Sequence, residues 1–274
     1  MSQTINQLKP DDLKTYISSH KEKDYVLVDV RQPAEYENEH IPGAFLLPLP
    51  SLLTNLSELN SEQDLIFYCR SGKRSMAAAT LALEDNVTRK RIYNLTGGII
   101  SWQGKTLADL PKVRVFIKNA GFSEMLYTAM EMEKGAARFY NLAYERYPEA
   151  TFAHVFNTLS KAETAHARSI YKQWAAGQEN PIPFEQLFEG LKENILESGD
   201  TLDQALKRLD SPGEDICLNL IELALDVESA AFDLYRTMSH RSDDQSFQEI
   251  ALSIAQAEKS HIQALIKALG ECTE

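Results

Sequence analysis

MEKGAARFY (132–140) and VESAAFDLY (227–235) are two copies of one pattern, and AETAHA (162–167) and AEKSHI (257–262) are two copies of another. Both pairs are offset by 95 residues. Within each copy the first Glu lies 30 residues before the second, Glu133 before Glu163 and Glu228 before Glu258. The unit that repeats is therefore a Glu, a Tyr seven residues later, and then a Glu-x-x-His.

These residues fall on helical faces. Phe152, Phe156, Leu159, Glu163, His166 and Ile170 follow one another at steps of 4, 3, 4, 3 and 4, which is one face of a helix and the apolar one. Phe247, Ala251, Ile254, Glu258, His261 and Leu265 repeat the spacing. Leu126, Met130, Glu133, Ala137 and Tyr140 form a third seam, and Ile221, Leu225, Glu228, Phe232 and Tyr235 a fourth. Four carboxylates and two imidazoles thus interrupt stripes that should point into a core. An uncompensated buried ion costs several kcal/mol, on the order of the whole stability of a domain. The seams carry no Lys or Arg to compensate it. Two divalent cations would neutralise four carboxylates, and each Glu-x-x-His puts its two ligands one turn apart on one face.

Four amphipathic stretches carry the seams, at about 122–147, 149–177, 213–240 and 243–269. The turns within each pair are short, which makes two antiparallel hairpins. Residues 178–212, with Pro181, Pro183, Gly190, Gly199 and Pro212, are long enough to cross from one hairpin to the other.

Upstream the periodicity changes. YVLVDV (25–30), DLIFYC (64–69) and RIYNLTGG (91–98) read as short buried strands, with helices over 8–19 and 75–86. That alternation predicts a small α/β domain with a mostly parallel sheet. The expected division is 1–108, a linker at 109–121, and a helical domain over 122–274. Net charge divides the same way. Residues 1–108 carry 12 Lys/Arg against 13 Asp/Glu, and 109–274 carry 16 against 27, within a total of −12. Such acidity argues against nucleic acid and anionic membrane as partners. No apolar run approaches the ~20 residues of a membrane span, and the polar N-terminus lacks the apolar stretch of a signal peptide. A cytoplasmic location is expected.

Three cysteines are too few and scattered for a disulfide framework, and no Cys-x-x-Cys is present. Cys217 lies in an apolar stripe and is expected to be core, and Cys272 lies in the tail with no evident role. Cys69 differs. It closes a strand and opens CRSGKRS (69–75) ahead of a helix. Backbone N–H groups, the positive helix end, and Arg70, Lys73 and Arg74 should all favour the thiolate.

The Cys69 loop, VDVRQPAEYENEHIPGA (28–44) and NLTGGIISWQG (94–104) resemble the recurring motifs of rhodanese-type sulfurtransferases. Glu39 stands where that family has Gly before His-Ile-Pro-Gly-Ala. The related phosphatases carry Cys-x5-Arg, whereas Arg74 here makes the tighter Cys-x4-Arg ring of sulfur-handling members. The resemblance implies a Cys69 persulfide cradled by the N–H groups of Arg70, Ser71, Gly72, Lys73 and Arg74, with Asp29 and Arg31 bracing the loop. A sulfane-sulfur donor and a thiol acceptor are the implied partners.

Residues 122–270 resemble the rubrerythrin branch of ferritin-like di-iron proteins, an all-α four-helix bundle with one long crossover. The resemblance implies that Glu163 and Glu258 bridge two iron ions, with manganese as the alternative. Glu133 and Glu228 become terminal ligands, His166 and His261 bind one ion each, and Tyr140 and Tyr235 support the ligands by hydrogen bonds. Rubrerythrin carries a further Glu where Ala231 stands here, and a rubredoxin module that this chain lacks, so an external protein must donate electrons. A homo-oligomer, a dimer, is expected. Three readings stay open: a bifunctional sulfurtransferase and peroxide- or O₂-reducing enzyme, an iron-oxidising or storage bundle with an accessory sulfur domain, and a metal-stabilised scaffold.

Overall fold

Five short strands form the first part of the chain: β1 (Ile5–Leu8), β2 (Tyr25–Asp29), β3 (Phe45–Leu46), β4 (Asp64–Tyr68) and β5 (Ile92–Leu95). The protein is seen in a computed structural model that describes residues 3–59, 61–111, 122–242 and 244–272. Every strand pairing is parallel, in the order β1-β5-β4-β2-β3. Strands β2, β4 and β5 are buried along their whole length, which is why they read as continuous apolar runs. Alternate residues serve opposite faces. Val26, Val28, Leu65 and Phe67 pack with Leu52, Ala78, Ala79 and Ala82 of α3 (Leu49–Asn55) and α4 (Lys73–Glu84). Tyr25, Leu27, Ile66 and Tyr68 pack with Leu13, Tyr16 and Tyr36 of α1 (Pro10–Ser19) and α2 (Pro33–Asn38). Each such large side chain contributes about 1.5–3 kcal/mol by leaving water.

The helix expected over 8–19 begins at Pro10 instead, because Leu8 ends β1 and its carbonyl accepts from Thr96 N–H. Proline at the first helical position, followed by Asp11 and Asp12, is a favourable helix start. Strands β1 and β3 and helices α2 and α3 are too short for a periodic signal.

The second part is helical: α5 (Phe122–Arg146), α6 (Ala153–Ala176), α7 (Phe184–Gly190), α8 (Leu202–Asp210), α9 (Ile216–Arg241) and α10 (Gln245–Glu271). The four long helices lie where periodicity puts them. Helices α7 and α8 interrupt the expected plain crossover, and α8 opens on a capping box of Thr201 and Gln204. Of the expected linker, residues 112–121 lie outside the described residues. Among the described residues no helix is long and apolar enough to cross a membrane.

The chain separates into two compact units. One comprises the residues up to Pro111 together with Tyr235–Gln256; the other comprises the helices up to Leu234 and the chain from Ala257 onward. Within the first unit, buried Arg236 donates to the carbonyls of Glu22 at 2.7 Å and Tyr25 at 3.2 Å, and its Nε lies 3.2 Å from the Glu22 carboxylate. Within the second, Phe139, Tyr140, Phe156, Leu159, Leu220, Val227 and Leu265 belong to one core fed by all four long helices.

The cysteines require a correction. Cys217 and Cys272 form a disulfide, with 2.01 Å between sulfurs. Both pack against the core of the second unit. Cys217 starts α9 and Cys272 follows the end of α10, so antiparallel helices bring together two residues that the sequence separates by 55 positions.

Candidate functional site

Two constellations are candidates for a functional site. The first follows β4, a central strand of the sheet, at the carboxyl end where parallel sheets present their ligands. Cys69 leaves that strand, and the chain turns through 70–72 into α4. The Cys69 residue is only 1 % exposed. Gly72 N–H donates to Sγ at 3.1 Å and Ser75 Oγ lies 3.5 Å from it. Burial pushes the thiol pKa up. Hydrogen bonds from the Ser75 hydroxyl and from the N–H groups of Ser75, Ser71 and Gly72 outweigh it, and the net shift is down. The Gly97-Gly98 turn closes the back of the loop. A Cβ on Gly98 would stand 2.3 Å from the Cys69 carbonyl oxygen, which accepts instead from Ile99 N–H. Only glycine permits that approach.

Arg74 aims its fork at Glu35, with both N–H···O distances 2.7 Å. That pair draws the Glu35 carboxyl down to about 2. Arg74 still senses a Cys69 thiolate, but hydrogen bonds dominate the thiol. The residue at the thiol that the sequence reading missed is Ser75. It sits six residues after Cys69, and its hydroxyl is also 2.6 Å from Asn94 Oδ1. The signal available was a Ser in the first turn of the helix after the loop. Asp29 and Arg31 form a buried bidentate pair, and Arg31 also donates to the Glu39 carbonyl. Its guanidinium stands over the ring of Tyr68, the residue before Cys69. The pair thus lies against the end of the strand that leads into the loop.

The second constellation lies in the helical unit. Glu133, Glu163, His166 and Glu258 each offer a ligand atom, all within 4.8 Å of one another. Glu163, Glu228, Glu258 and His261 do the same. All six sequence-derived residues are thus brought together, and Glu163 and Glu258 belong to both groups. The four acids are at most 2 % exposed. His166 Nδ1 stands 2.9 Å from Glu163, 3.1 Å from Glu258 and 3.3 Å from Glu133. His261 Nδ1 stands 2.9 Å from Glu228, 3.0 Å from Glu258 and 3.4 Å from Glu163. The two rings stack at 5.2 Å.

Burial pushes both histidines down, yet the surrounding carboxylates raise them, His261 to about 12. Burial pushes Glu133 up to about 8 and Glu228 upward as well. Tyr140 crosses from α5 to donate its hydroxyl to Glu228 rather than to Glu133 on its own helix. Tyr235 is fully buried. A cavity of about 220 Å³ opens beside His261, lined also by His154, Thr158 and Lys267. Glu197, also buried, was not anticipated, because it lies in a turn with no periodicity to mark it.

Residues 9–105 match the family model of the rhodanese-like domain. The chain is 35% identical over 98 residues to a sulfurtransferase of Allochromatium vinosum, covering 36% of this chain and 88% of that protein. It is 39% identical over 82 residues to the uncharacterized protein YqhL of Bacillus subtilis, covering 30% of this chain and 64% of that one, just under two thirds of its length. A rhodanese-like domain protein of Staphylococcus aureus aligns at a TM-score of 0.34 and 26% identity, over 38% of this chain and 99% of that one.

Proposed function

The chain belongs to the rhodanese-like family through residues 9–105, and on that premise we propose a protein with two centres. One transfers sulfane sulfur through a Cys69 persulfide. The other is a di-iron carboxylate centre, in a ferritin-like four-helix bundle, that reduces peroxide or activates O₂.

The observation that carries the sulfur reading is a thiolate-favouring loop closed on Sγ by Gly72 N–H and the Ser75 hydroxyl. With thiosulfate, the Cys69 thiolate attacks the outer sulfur. The sulfur–sulfur bond breaks, its electron pair leaves with sulfite, and a Cys69 persulfide remains. The loop donors that favour the thiolate also suit the persulfide anion. A thiol or cyanide then takes the outer sulfur and returns the thiolate. Cys69→Ser should abolish thiosulfate:cyanide transfer while leaving bound iron unchanged. Retained transfer would refute the persulfide.

The metal reading is supported by four buried carboxylates and two half-buried imidazoles gathered in two groups, with Glu163 and Glu258, common to both, as bridges. Glu163 Oε1 is buried and faces His261 Nδ1 at 3.4 Å, a position that a cation between the two groups would satisfy better. Glu133 and His166 would complete one ion's set, and Glu228 and His261 the other's. Mixed carboxylate and imidazole donors suit iron or manganese. When bound, such a pair supplies the electrons that oxygen species take up. The chain's own part is to exclude water, to orient Glu228 through Tyr140, and to admit a small oxidant by the cavity beside His261. An external protein would replenish the electrons. Glu163→Ala with Glu258→Ala should remove the metal, and a double mutant that still binds two irons sinks the bridging assignment. Ferrous oxidation without peroxidase turnover would favour the iron-handling alternative.

A further inference from the structure

Between α7 and α8 the chain makes a narrow turn. Ile195 and Thr201 form an antiparallel bridge, Leu202 N–H reaches the Asn194 carbonyl, and Leu196 N–H reaches Asp200. Gly199 N–H closes back on the Leu196 carbonyl at 2.8 Å, which puts Glu197 and Ser198 at the tip of a reverse turn. An acid in such a place belongs in water. Glu197 is instead 2 % exposed, and neither of its carboxylate oxygens has a hydrogen-bond partner. Buried polar atoms in that state call for a ligand.

Helix α5 draws the turn inward. Lys134 Nζ donates to the carbonyls of Glu189 and Leu191, and Lys192 N–H donates to Glu131. Gly135 lets the backbones meet, because a Cβ there would stand 2.2 Å from the Ile195 carbonyl oxygen. These contacts fall on residues 131–135, around Glu133. The charges acting most strongly on Glu197 are those of Glu133, Glu163 and Glu258. The same three acids, with His166, make up one of the two ligand groups.

We infer that Glu197 is a fifth carboxylate of the metal centre, donating to the ion held by Glu133, Glu163, His166 and Glu258, so that the two metal positions are chemically unequal. This rests on the metal reading of the six residues. Five carboxylates carry one negative charge more than two divalent ions balance, so Glu197 would make the position it joins the more negative of the two. It also answers the two-fold sequence repeat, which by itself would make the two positions alike.

The test is anaerobic ferrous-iron loading of the full chain and of Glu197→Gln, followed by chelator competition and Mössbauer spectra. The wild-type chain should show two inequivalent irons. In Glu197→Gln, one ion should weaken by about 10- to 100-fold while the other is unchanged, and the two signals should converge. Two irons of unchanged affinity and unchanged inequivalence would overturn the assignment. Should Glu197→Gln lose its helical circular dichroism, Glu197→Asp carries the test: it keeps the charge on a shorter arm, and one ion should weaken by less. Equal retention of both ions there would overturn the assignment too. A wild-type chain that binds no iron would instead refute the six-residue reading itself.

Discussion

Replacing Ser75 with alanine should raise the pKa of Cys69 by about one unit. The Ser75 hydroxyl makes the largest of the contributions that pull this thiol down. A hydrogen bond to a charged group contributes about 1.5–3 kcal/mol. This one is long, 3.5 Å to Sγ, and its single proton is shared with Asn94 Oδ1 at 2.6 Å. Asn94 is itself oriented by Gln7, whose Oε1 accepts from Nδ2 at 3.2 Å. The lower end, about 1.5 kcal/mol, therefore applies, and it corresponds to about one pKa unit and about a tenfold loss of thiolate below the midpoint. The assay is the rate of iodoacetamide alkylation against pH under non-reducing conditions. Cys217 and Cys272 are paired, so Cys69 is the thiol that reacts. The rising limb of the variant should lie at higher pH, and thiosulfate:cyanide turnover should follow it. A coincident limb would refute the role of the hydroxyl. A larger shift in Arg74→Gln than in Ser75→Ala would show that charge, not hydrogen bonding, sets the thiol.

The Glu35–Arg74 pair predicts an acid limit. Glu35 titrates at about 2 instead of 4.5, so its contribution to stability is present above 4.5 and is lost as pH falls through 2. Thermal midpoints followed over that window should fall less steeply in Glu35→Gln, and parallel curves would exclude the pair as a cause. Tyr140→Phe deletes the hydroxyl bonded to buried Glu228; at about 0.5–1.5 kcal/mol for a bond to a neutral acid it should lower the metal-free thermal midpoint by a few degrees, and an unchanged midpoint would show that the bond contributes nothing. Loading the centre with ferrous ion should acidify an unbuffered solution at neutral pH, because His166, His261, Glu133 and Glu228 all have pKa values raised by the cluster or by burial. About four protons are displaced when cations take their place, affinity should climb with pH, and a titration without acid release would mean that the ligands are not protonated beforehand.

Long elements were legible because their burial is regular. The four long helices announce themselves by stripes repeated over many turns, and the central strands by runs such as Val26–Val28 and Leu65–Phe67, buried on both faces. Strand β3 has two residues and helix α7 seven, too few for any period to emerge. The Cys217–Cys272 bond was hidden for a different reason: neither residue's local pattern specifies that the start of α9 meets the end of α10.

The same distinction separates the parts of each site. The six candidate ligand residues stood out because each breaks an apolar stripe that would otherwise be uniform, so their burial follows from the helix that carries them. Cys69 stood out because a strand, a tight loop and a helix must follow one another to present it. Ser75 and Glu197 obey no such local rule. Ser75 acts because α4 turns its hydroxyl back toward Sγ and Asn94. Glu197 is buried because a glycine 62 residues earlier, Gly135, admits the backbone of its turn against α5. A residue buried by its own element can be read from its neighbours in sequence. One buried by a contact made elsewhere can be read only once that contact is known, and substituting the contact should move it. Gly135→Ala should therefore shift the 195–199 turn and weaken iron as Glu197→Gln does, though position 135 bears no ligand; iron binding indistinguishable from wild type would mean that the turn reaches the cluster without help from that glycine.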